Sequence, residues 1–156
     1  MIATCAQTDD IATLHQIQQA HTGIQFNIPL PTGSMPLHIC AKYGAVKCAD
    51  LLLRCGNNEN SIVNEPDPVG FTAIYYAILQ QNEPMIDLLI RNGAQLTATF
   101  KPSEIGMHLC NCVKNNQVDR LKVWHKAGAD LDQTDYDGRT PLLLVNDRSS
   151  FKNRFI

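Results

Sequence analysis

The sequence predicts an all-α solenoid of stacked helix-turn-helix units, and three observations favour this fold class. First, an apolar residue stands at the same distance before a glycine in three successive segments, namely Leu37 and Gly56, Ile74 and Gly93, Leu109 and Gly128. Second, those glycines lie 37 and then 35 residues apart, an interval typical of repeat proteins. Third, apolar residues before each glycine follow the spacing of three and four that places one buried stripe on a helix.

Each unit is therefore expected to hold an inner helix followed by an outer helix. We predict inner helices near 2–8, 36–43, 73–80, 103–114 and 140–147. The predicted outer-helix stripes are Val46, Ala49, Leu52 and Leu53; Met85, Ile86, Leu89 and Ile90; and Val118, Leu121 and Trp124. A first unit carries Ile2, Cys5 and Ala6 in its inner helix and Ile11, Leu14 and Ile17 in its outer helix, closed by Gly23.

This register divides a single domain, 1–156, into about four and a half repeats. Their approximate bounds are 1–32, 33–69, 70–102, 103–135 and a truncated 136–156. The last unit is too short for its outer helix, so Leu142, Leu144 and Val145 are expected to need another cover. Either the tail 148–156 folds back over them or another chain does so, and self-association through this repeat is one possibility.

Composition excludes several functional classes. A formal net charge of -2 and dispersed Lys and Arg argue against a nucleic-acid partner. The sequence has no apolar run near the roughly 20 residues that span a bilayer, and its N-terminus lacks a signal-peptide pattern. The six cysteines follow the repeat rather than a disulfide scaffold, which favours reduced thiols and a cytoplasmic location.

Four segments carry a family resemblance: Met35-Pro36-Leu37-His38-Ile39-Cys40-Ala41, Gly70-Phe71-Thr72-Ala73-Ile74, Ala127-Gly128-Ala129-Asp130-Leu131 and Asp137-Gly138-Arg139-Thr140-Pro141-Leu142. They resemble the helix start and the glycine exit of ankyrin repeats. The resemblance covers nearly the whole chain and implies a protein-binding function. Because the ankyrin period is about 33 residues, the surplus length of these units is expected in loops.

Departures from the ankyrin pattern are expected at the helix starts. The family pairs a threonine with a histidine three residues on, but here Met35 stands before His38 and Thr72 before Tyr75. Thr140 likewise precedes Leu143, so no unit has the complete pair. The segment from Lys101 lacks an Asp-x-x-Gly hairpin tip; we predict a helix there from about 103 to 114 instead.

A closer resemblance rests on four segments in order: Glu104 to Cys110, Val118 to Trp124, Ala127 to Leu131 and Asp135 to Arg139. Together they look like the C-terminal ankyrin region of cytosolic L-asparaginases of the lysophospholipase type. Ankyrin domains of plant potassium channels and of glutaminases are similar to the last segment alone. The resemblance implies that an amidohydrolase domain stands upstream in the parent protein and that this chain is its non-catalytic part.

Catalytic and metal sites are not predicted, and no cofactor is expected. Thr32-Gly33-Ser34 is the segment most similar to the nucleophile motif of an amidohydrolase, but it lies at a predicted hairpin tip. His108 and Cys112 stand one helical turn apart, as metal ligands can. However, Cys5, Cys40 and Cys112 occupy one slot of the repeat, where a small core residue is needed; we therefore interpret them as core residues.

The candidate site is the exposed side of the inner helices together with the hairpin tips, where stacking aligns equivalent positions into a strip. By register the strip begins with Thr4 and Thr8. Its predicted partner-binding residues are Ile39, Tyr43, Phe71, Tyr76, Gln80, Asn111, Asn115, Tyr136 and Arg139. Tyr, Phe and Arg are enriched at interface anchors. Alternatively, Tyr43 and Tyr76 only cover the groove between adjacent helices.

Three functional hypotheses remain open at this point. The first is an interaction module whose partner is another protein or the catalytic domain itself. The second is that the chain is part of an L-asparaginase or lysophospholipase, because the natural polypeptide continues upstream. The third is the ankyrin domain of a channel or an adaptor. A longer coding sequence would distinguish them.

Overall fold

The computed structural model describes residues 2–20, 29–55 and 61–147. Within these ranges the chain forms α-helices and one 3-10 helix, and no strand. The helices are α1 (Ile2–Thr8), α2 (Ile11–Ala20), α3 (Pro36–Tyr43), α4 (Val46–Cys55), α5 (Ser61–Asn64), α6 (Ala73–Leu79), α7 (Glu83–Arg91), α8 (Pro102–Lys114), α9 (Val118–Lys126) and α10 (Pro141–Asp147), with the 3-10 helix at Leu96–Ala98. The predicted all-α class is confirmed.

The inner helices agree with the predicted bounds to within one residue at each end. They are α1, α3, α6, α8 and α10. The helix predicted after Lys101 is present as α8, where proline occupies the first turn and the Glu104 side chain accepts a hydrogen bond from the Lys101 N–H at 2.8 Å. The glycines predicted to end outer helices have left-handed φ at Gly93 (86°) and Gly128 (94°). Gly23 and Gly56 lie outside the described residues.

The chain divides into two compact parts that are larger than single repeats. From here on we call Met1–Thr99 the first unit and Phe100–Ile156 the second unit. In the first unit the inner helices contact one another in the order α1, α3, α6. The outer helices do the same in the order α2, α4, α7, and each outer helix contacts its own inner helix. In the second unit α8 contacts both α9 and α10. Each unit is thus built by the helix stacking that repeat proteins use to bury a shared core.

The position of the repeat that calls for a small residue is buried in every complete repeat. Cys5, Cys40, Ala77 and Cys112 are at most 5% exposed. The interpretation of these cysteines as core residues is therefore confirmed. Burial raises the pKa of the Cys40 and Cys112 thiols, because an apolar surrounding disfavours the thiolate. A neutral thiol behaves as a small apolar side chain and lets neighbouring helices approach.

Two residues of the predicted outer-helix stripes are exposed. Ile90 is 37% exposed, although Met85, Ile86 and Leu89 of the same helix are fully buried. At 100° per residue, those three positions already span the apolar face of α7, and Ile90 falls at its edge. Val118 is 53% exposed. It lies nearly opposite the buried pair Val123 and Trp124 on α9, so the prediction was wrong at both positions.

The surplus length of the second repeat contains a short helix that was not predicted. The segment between α4 and α6 includes α5, and residues 56–60 lie outside the described residues. The Asn64 amide donates to the Gly93 carbonyl at 2.9 Å, and its carbonyl oxygen accepts from the Gln95 N–H at 2.8 Å. These two bonds satisfy backbone groups at the end of α7, which would otherwise lack partners.

The turns between inner and outer helices share a left-handed residue. The φ angles are 54°, 53° and 55° at Asp9, Gln81 and Asn116. Gly44 occupies the same position in its own repeat and has a φ of 75°. A Cβ added at Gly44 would lie 3.0 Å from the Asn82 amide nitrogen. Asn82 in turn caps α7 by accepting from the Met85 N–H at 3.1 Å. The turn before α4 therefore lies close to the residue that caps α7.

We expect Gly44→Ala to lower the free energy of unfolding by about 1–2 kcal/mol, since left-handed backbone costs that much for an L-residue. Urea unfolding followed by circular dichroism measures the change. Gln81→Gly is the reverse change at the equivalent turn and is expected to be neutral or stabilising. Equal destabilisation by both variants would contradict the assignment of strain to these turns.

Candidate protein-binding surface

Three hairpin tips share one backbone arrangement: Leu30–Ser34, Asp67–Phe71 and Asp135–Arg139. In each tip the first residue's N–H donates to the fifth residue's carbonyl, at 2.9, 2.8 and 2.9 Å respectively. The fourth residue's N–H donates back to the first carbonyl, at 2.7, 2.8 and 3.0 Å. The fourth residue is a glycine with positive φ each time, as this tight turn requires. Thr32 thus lies in the predicted hairpin tip.

A buried carboxylate fixes two of the tips. One oxygen of Asp67 accepts the N–H groups of Val69 and Phe71, both at 2.9 Å. One oxygen of Asp135 accepts those of Asp137 and Arg139, at 3.0 and 2.9 Å. Both side chains therefore replace backbone partners that a five-residue turn cannot supply. The repeated Asp-x-x-Gly spacing was a sequence signal for these residues, but neither had been singled out as part of the candidate site.

Tyr76 braces the second tip. Its hydroxyl donates to the other oxygen of Asp67 at 2.5 Å, and its ring meets Phe71 edge-on at 6.3 Å between centroids. Burial and the neighbouring carboxylate raise the pKa of Tyr76 to about 12. Burial opposes ionisation of Asp67, but the hydrogen bonds from Tyr76, Phe71 and Val69 outweigh it and lower the pKa of Asp67. The hydroxyl of Tyr76, a predicted partner-binding residue, is therefore bound within the tip.

Removing that hydroxyl should weaken the tip without opening a cavity. We expect Tyr76→Phe to lower the free energy of unfolding by about 1 kcal/mol, the net worth of one such hydrogen bond. The pKa of Asp67 should rise at the same time, because a bond that favours the carboxylate is lost. Urea unfolding and an NMR titration of the Asp67 carboxyl measure the two effects. The exposed Tyr43→Phe is the control, and an unchanged Asp67 titration would refute the brace.

His38 ties the start of α3 to the segment before the second tip. It is 2% exposed; its Nδ1 accepts the Met35 N–H at 3.0 Å and its Nε2 lies 2.9 Å from the Glu65 carbonyl. Because a backbone N–H can only donate and a carbonyl can only accept, the proton sits on Nε2. Its ring also meets Tyr76 edge-on at 6.2 Å. Burial lowers the pKa of His38 despite the nearby carbonyl and Asp67.

The other incomplete pairs find different partners. The Thr72 hydroxyl lies 2.6 Å from that of Thr99, which also accepts the Thr72 N–H at 3.3 Å. The Thr140 hydroxyl accepts the Leu143 N–H at 3.2 Å and begins α10. Thr72 is fully buried, so its hydroxyl needs a hydrogen-bond partner. Thr99, in the loop after α7, takes the place of the histidine with which the ankyrin pattern pairs this threonine.

The remaining first-unit residues of the predicted strip differ in exposure. Tyr43, at the end of α3, is 54% exposed, and Gln80 is exposed just after α6. Ile39 and Phe71 are half-buried. Phe71 stacks on Tyr75 at 4.3 Å between centroids. Val69 at the tip is 72% exposed and had not been predicted.

In the second unit the predicted residues fall into two groups. Asn111 and Asn115 are exposed on α8 and directly after it. Tyr136 is 66% exposed at the third tip. Arg139 is paired with Asp135 at 3.1 Å and with Asp137, so its guanidinium is engaged within the tip. Tyr136 is therefore the residue of this tip that presents a large free face.

The candidate metal ligand His108 belongs to an aromatic cluster. Its ring stacks on Trp124 at 4.9 Å, and Phe100 meets both rings edge-on at 5.5 and 5.7 Å. Burial lowers the pKa of His108, with Glu104 and Arg120 acting in opposite directions. Among the residues that the structure describes, His, Cys, Asp and Glu form no group of three that could hold a metal ion.

In the second unit, α8, α9 and α10 line an apolar groove. Its apolar walls are Cys112, Val113, Val118, Leu121 and Val145. On α10, Leu142 and Leu143 are 64% and 51% exposed. The tail 148–156, predicted as a possible cover, lies outside the described residues. Over the described part of the chain, every helix is too short or too polar to cross a membrane.

Stacked helix pairs joined by hairpin tips, two of them held by a buried carboxylate, are the architecture of a repeat protein. A comparison with protein-family models identifies the family. The ankyrin-repeat family model, with three copies, matches residues 1–99. The chain belongs to the ankyrin-repeat family.

Among curated proteins, the chain is 28% identical to an L-asparaginase of Dirofilaria immitis over 93% of its own length and 23% of the relative's. It is 29% identical to the nuclear factor NF-kappa-B p105 subunit of Mus musculus over 76% of the chain and 12% of the relative. It is 30% identical to the potassium channel AKT2/3 of Arabidopsis thaliana over 72% of the chain and 13% of the relative. The chain spans less than a quarter of the length of these relatives.

Proposed function

We propose that this chain is a protein–protein interaction module and that the first unit presents its principal binding surface. The observation that carries the proposal is the second hairpin tip, which is held in one conformation by the Asp67 carboxylate and the Tyr76 hydroxyl. A surface that is ordered before binding loses less conformational entropy when a partner arrives. Ankyrin repeats generally serve such interactions.

Tyr43 is the anchor we expect to matter most. It has the largest exposed fraction of the aromatic residues in the first-unit strip, and the half-buried Ile39 lies one helical turn before it on α3. Exposed tyrosine offers a large contact area with few rotatable bonds, which is why it is common among energetically dominant interface residues. Phe71, Tyr76 and Gln80 complete the surface in this unit.

The second unit contributes a smaller surface in this proposal. Asn111, Asn115 and Tyr136 offer hydrogen-bonding groups and one aromatic ring, while Arg139 holds the third tip in shape. We also propose that the apolar face of α10, with Leu142 and Leu143, supports self-association of the chain. Analytical ultracentrifugation over a hundredfold concentration range, repeated with Leu142→Asp, tests this second surface.

The binding proposal is tested with the full chain as bait. A protein recovered from lysate of the source cells is purified, and its affinity for the chain is measured by calorimetry. We expect Tyr43→Ala to weaken binding by about 2 kcal/mol or more, roughly thirtyfold in Kd, because anchors of this type dominate interface energies. The circular dichroism spectrum and the melting temperature should change little, since the ring is mostly outside the core.

Lys47→Ala is the matched control, because Lys47 is exposed on the outer helix α4 of the same unit. Binding that is insensitive to Tyr43→Ala but lost with Lys47→Ala would move the partner to the outer-helix face and reject the proposed surface. A loss of folding in Tyr43→Ala would favour the alternative in which this ring only covers the groove between helices.

A second proposal concerns the parent protein. The ordered motifs from Glu104 to Arg139 and the alignment with an L-asparaginase over most of this chain favour an asparaginase or lysophospholipase-type parent. The partner would then be the parent's own catalytic domain. The alternatives are a channel or an adaptor as the parent protein. A coding sequence extended upstream of Met1 tests them: an amidohydrolase domain there supports the asparaginase or lysophospholipase-type parent, and membrane spans support a channel.

Location and repeat organisation are part of the same proposal. The buried cysteines Cys5, Cys40, Cys48, Cys110 and Cys112 are free thiols, which suits a reducing, cytoplasmic setting. We propose that residues 1–156 act as one domain of about four and a half repeats. Limited proteolysis tests the domain boundary, since early cleavage near residue 99 or 100 would instead indicate two separately folding parts.

A further inference from the structure

The helix α10 exposes apolar residues at positions that the other inner helices bury. Leu142 and Val145 are its second and fifth residues, and they are 64% and 50% exposed. The other inner helices are covered by neighbouring helices: α3 by α4 and α6, α6 by α7, and α8 by α9 and α10. The cover that suits α10 is therefore the apolar face of another helix. The equivalent residues of the other inner helices are at most 5% exposed; they are Leu37, Ile74 and Leu109 at the first position and Cys40, Ala77 and Cys112 at the second.

The apolar groove of the second unit begins beside these residues, because Val145 is one of its walls. The walls named above are joined by the uncharged amides Asn116 and Gln117, so no residue that lines the groove carries a charge. The volume of the groove is about 170 Å³. Because a cavity of about 150 Å³ holds a benzene molecule, the groove has room for one aliphatic side chain.

The helix α10 itself presents such a side chain. Leu142 has the largest exposed fraction of the leucines that the structure describes, and it lies one helical turn before Val145 on the same face. When two α10 helices pack antiparallel about a two-fold axis that passes between these residues, Leu142 of each copy meets Val145 of the other. The exposed face and the groove are therefore complementary to each other.

We propose that two copies of this chain pack through their α10 helices, with Leu142 of each copy filling the groove beside Val145 of the other. The inference rests on the self-association proposed above, and it adds a binding site on α8 and α9 to the face of α10. The arrangement also covers Val118, which is 53% exposed although the repeat pattern predicts its burial. Burial of one leucine contributes roughly ten- to a hundredfold in affinity, and each dimer has two such sites.

Analytical ultracentrifugation of the full chain measures the dissociation constant of the dimer. We expect Val118→Lys to raise it at least about tenfold, because an unpaired charge then meets the leucine that fills the groove. Leu142→Asp should have the same effect. Both residues are mostly exposed, so circular dichroism and Trp124 fluorescence should show that the variants stay folded. Val69→Lys is the matched control: Val69 is 72% exposed in the first unit, and its substitution should leave the dissociation constant unchanged.

A mixture of the two variants tests the contact itself. When Val118→Lys and Leu142→Asp chains are combined, one groove pairs the lysine with the aspartate, and the other keeps the natural leucine and valine. We expect a one-to-one heterodimer at concentrations where each variant alone is monomeric, because only the mixed pair removes the unpaired charges from both sites. Native mass spectrometry of the mixture identifies the heterodimer by its mass.

The outcomes separate this inference from the proposed function. A dimer that Val118→Lys leaves intact would refute the binding of Leu142 in the groove, but self-association through α10 would stand. A mixture that stays monomeric would refute the pairing of Leu142 with Val118. A natural chain that is monomeric at every concentration would refute both proposals, and the groove would then be left to the tail 148–156 or to a different protein.

Discussion

Leu89→Ala is expected to lower the free energy of unfolding by about 2–5 kcal/mol, the range for truncating a fully buried leucine. Leu89 has no exposed surface and lies on α7, which contacts both α4 and α6. The lost side chain leaves a cavity where neighbouring repeats meet, so the cost falls on the contacts that hold the first unit together. Urea unfolding followed by far-UV circular dichroism measures it.

Ile90→Ala is the matched control, because it removes a similar side chain from the next residue of the same helix. Ile90 is 37% exposed at the edge of the apolar face, so its truncation should cost much less than that of Leu89. Equal costs at the two positions would contradict the packing described for α7. The comparison therefore tests the corrected stripe rather than only the presence of a helix.

Gly106→Ala is expected to destabilise the second unit by about 1–3 kcal/mol, the usual cost of forcing extra atoms into a packed interior. A Cβ at this position would lie 2.2 Å from the Thr134 carbonyl oxygen and 2.9 Å from the Asp135 nitrogen. Both are backbone atoms, so the chain entering the third tip must move. The clash should outweigh the gain of about 1 kcal/mol that alanine brings over glycine in a helix.

Trp124 is the only tryptophan of the chain and reports on this unit by fluorescence during urea unfolding. Asn111→Ala, at an exposed site of the same helix, is the control and should be neutral or slightly stabilising. A stabilised Gly106→Ala protein would show that the loop at Thr134 yields without cost, against the close approach seen in the structure.

The sequence alone determined the parts of this protein that depend on periodicity. Apolar spacing and recurring glycines predicted the inner helices to within one residue, and the repeat register identified Cys5, Cys40 and Cys112 as core. These features could be predicted because a buried helix face and a left-handed helix end each require particular residue types at fixed local intervals. The ankyrin family followed from the same motifs.

Only the tertiary structure decided which side chains remain available at the candidate surface. Tyr76 was predicted as a partner contact, but its hydroxyl is bound to Asp67, and Arg139 is paired within the third tip. Thr72 forms a hydrogen bond with Thr99, and His38 forms one with the Glu65 carbonyl; the partner is 27 residues away along the chain in each case. Such pairings depend on how loops from successive repeats meet in space, which a local pattern of residue types does not specify.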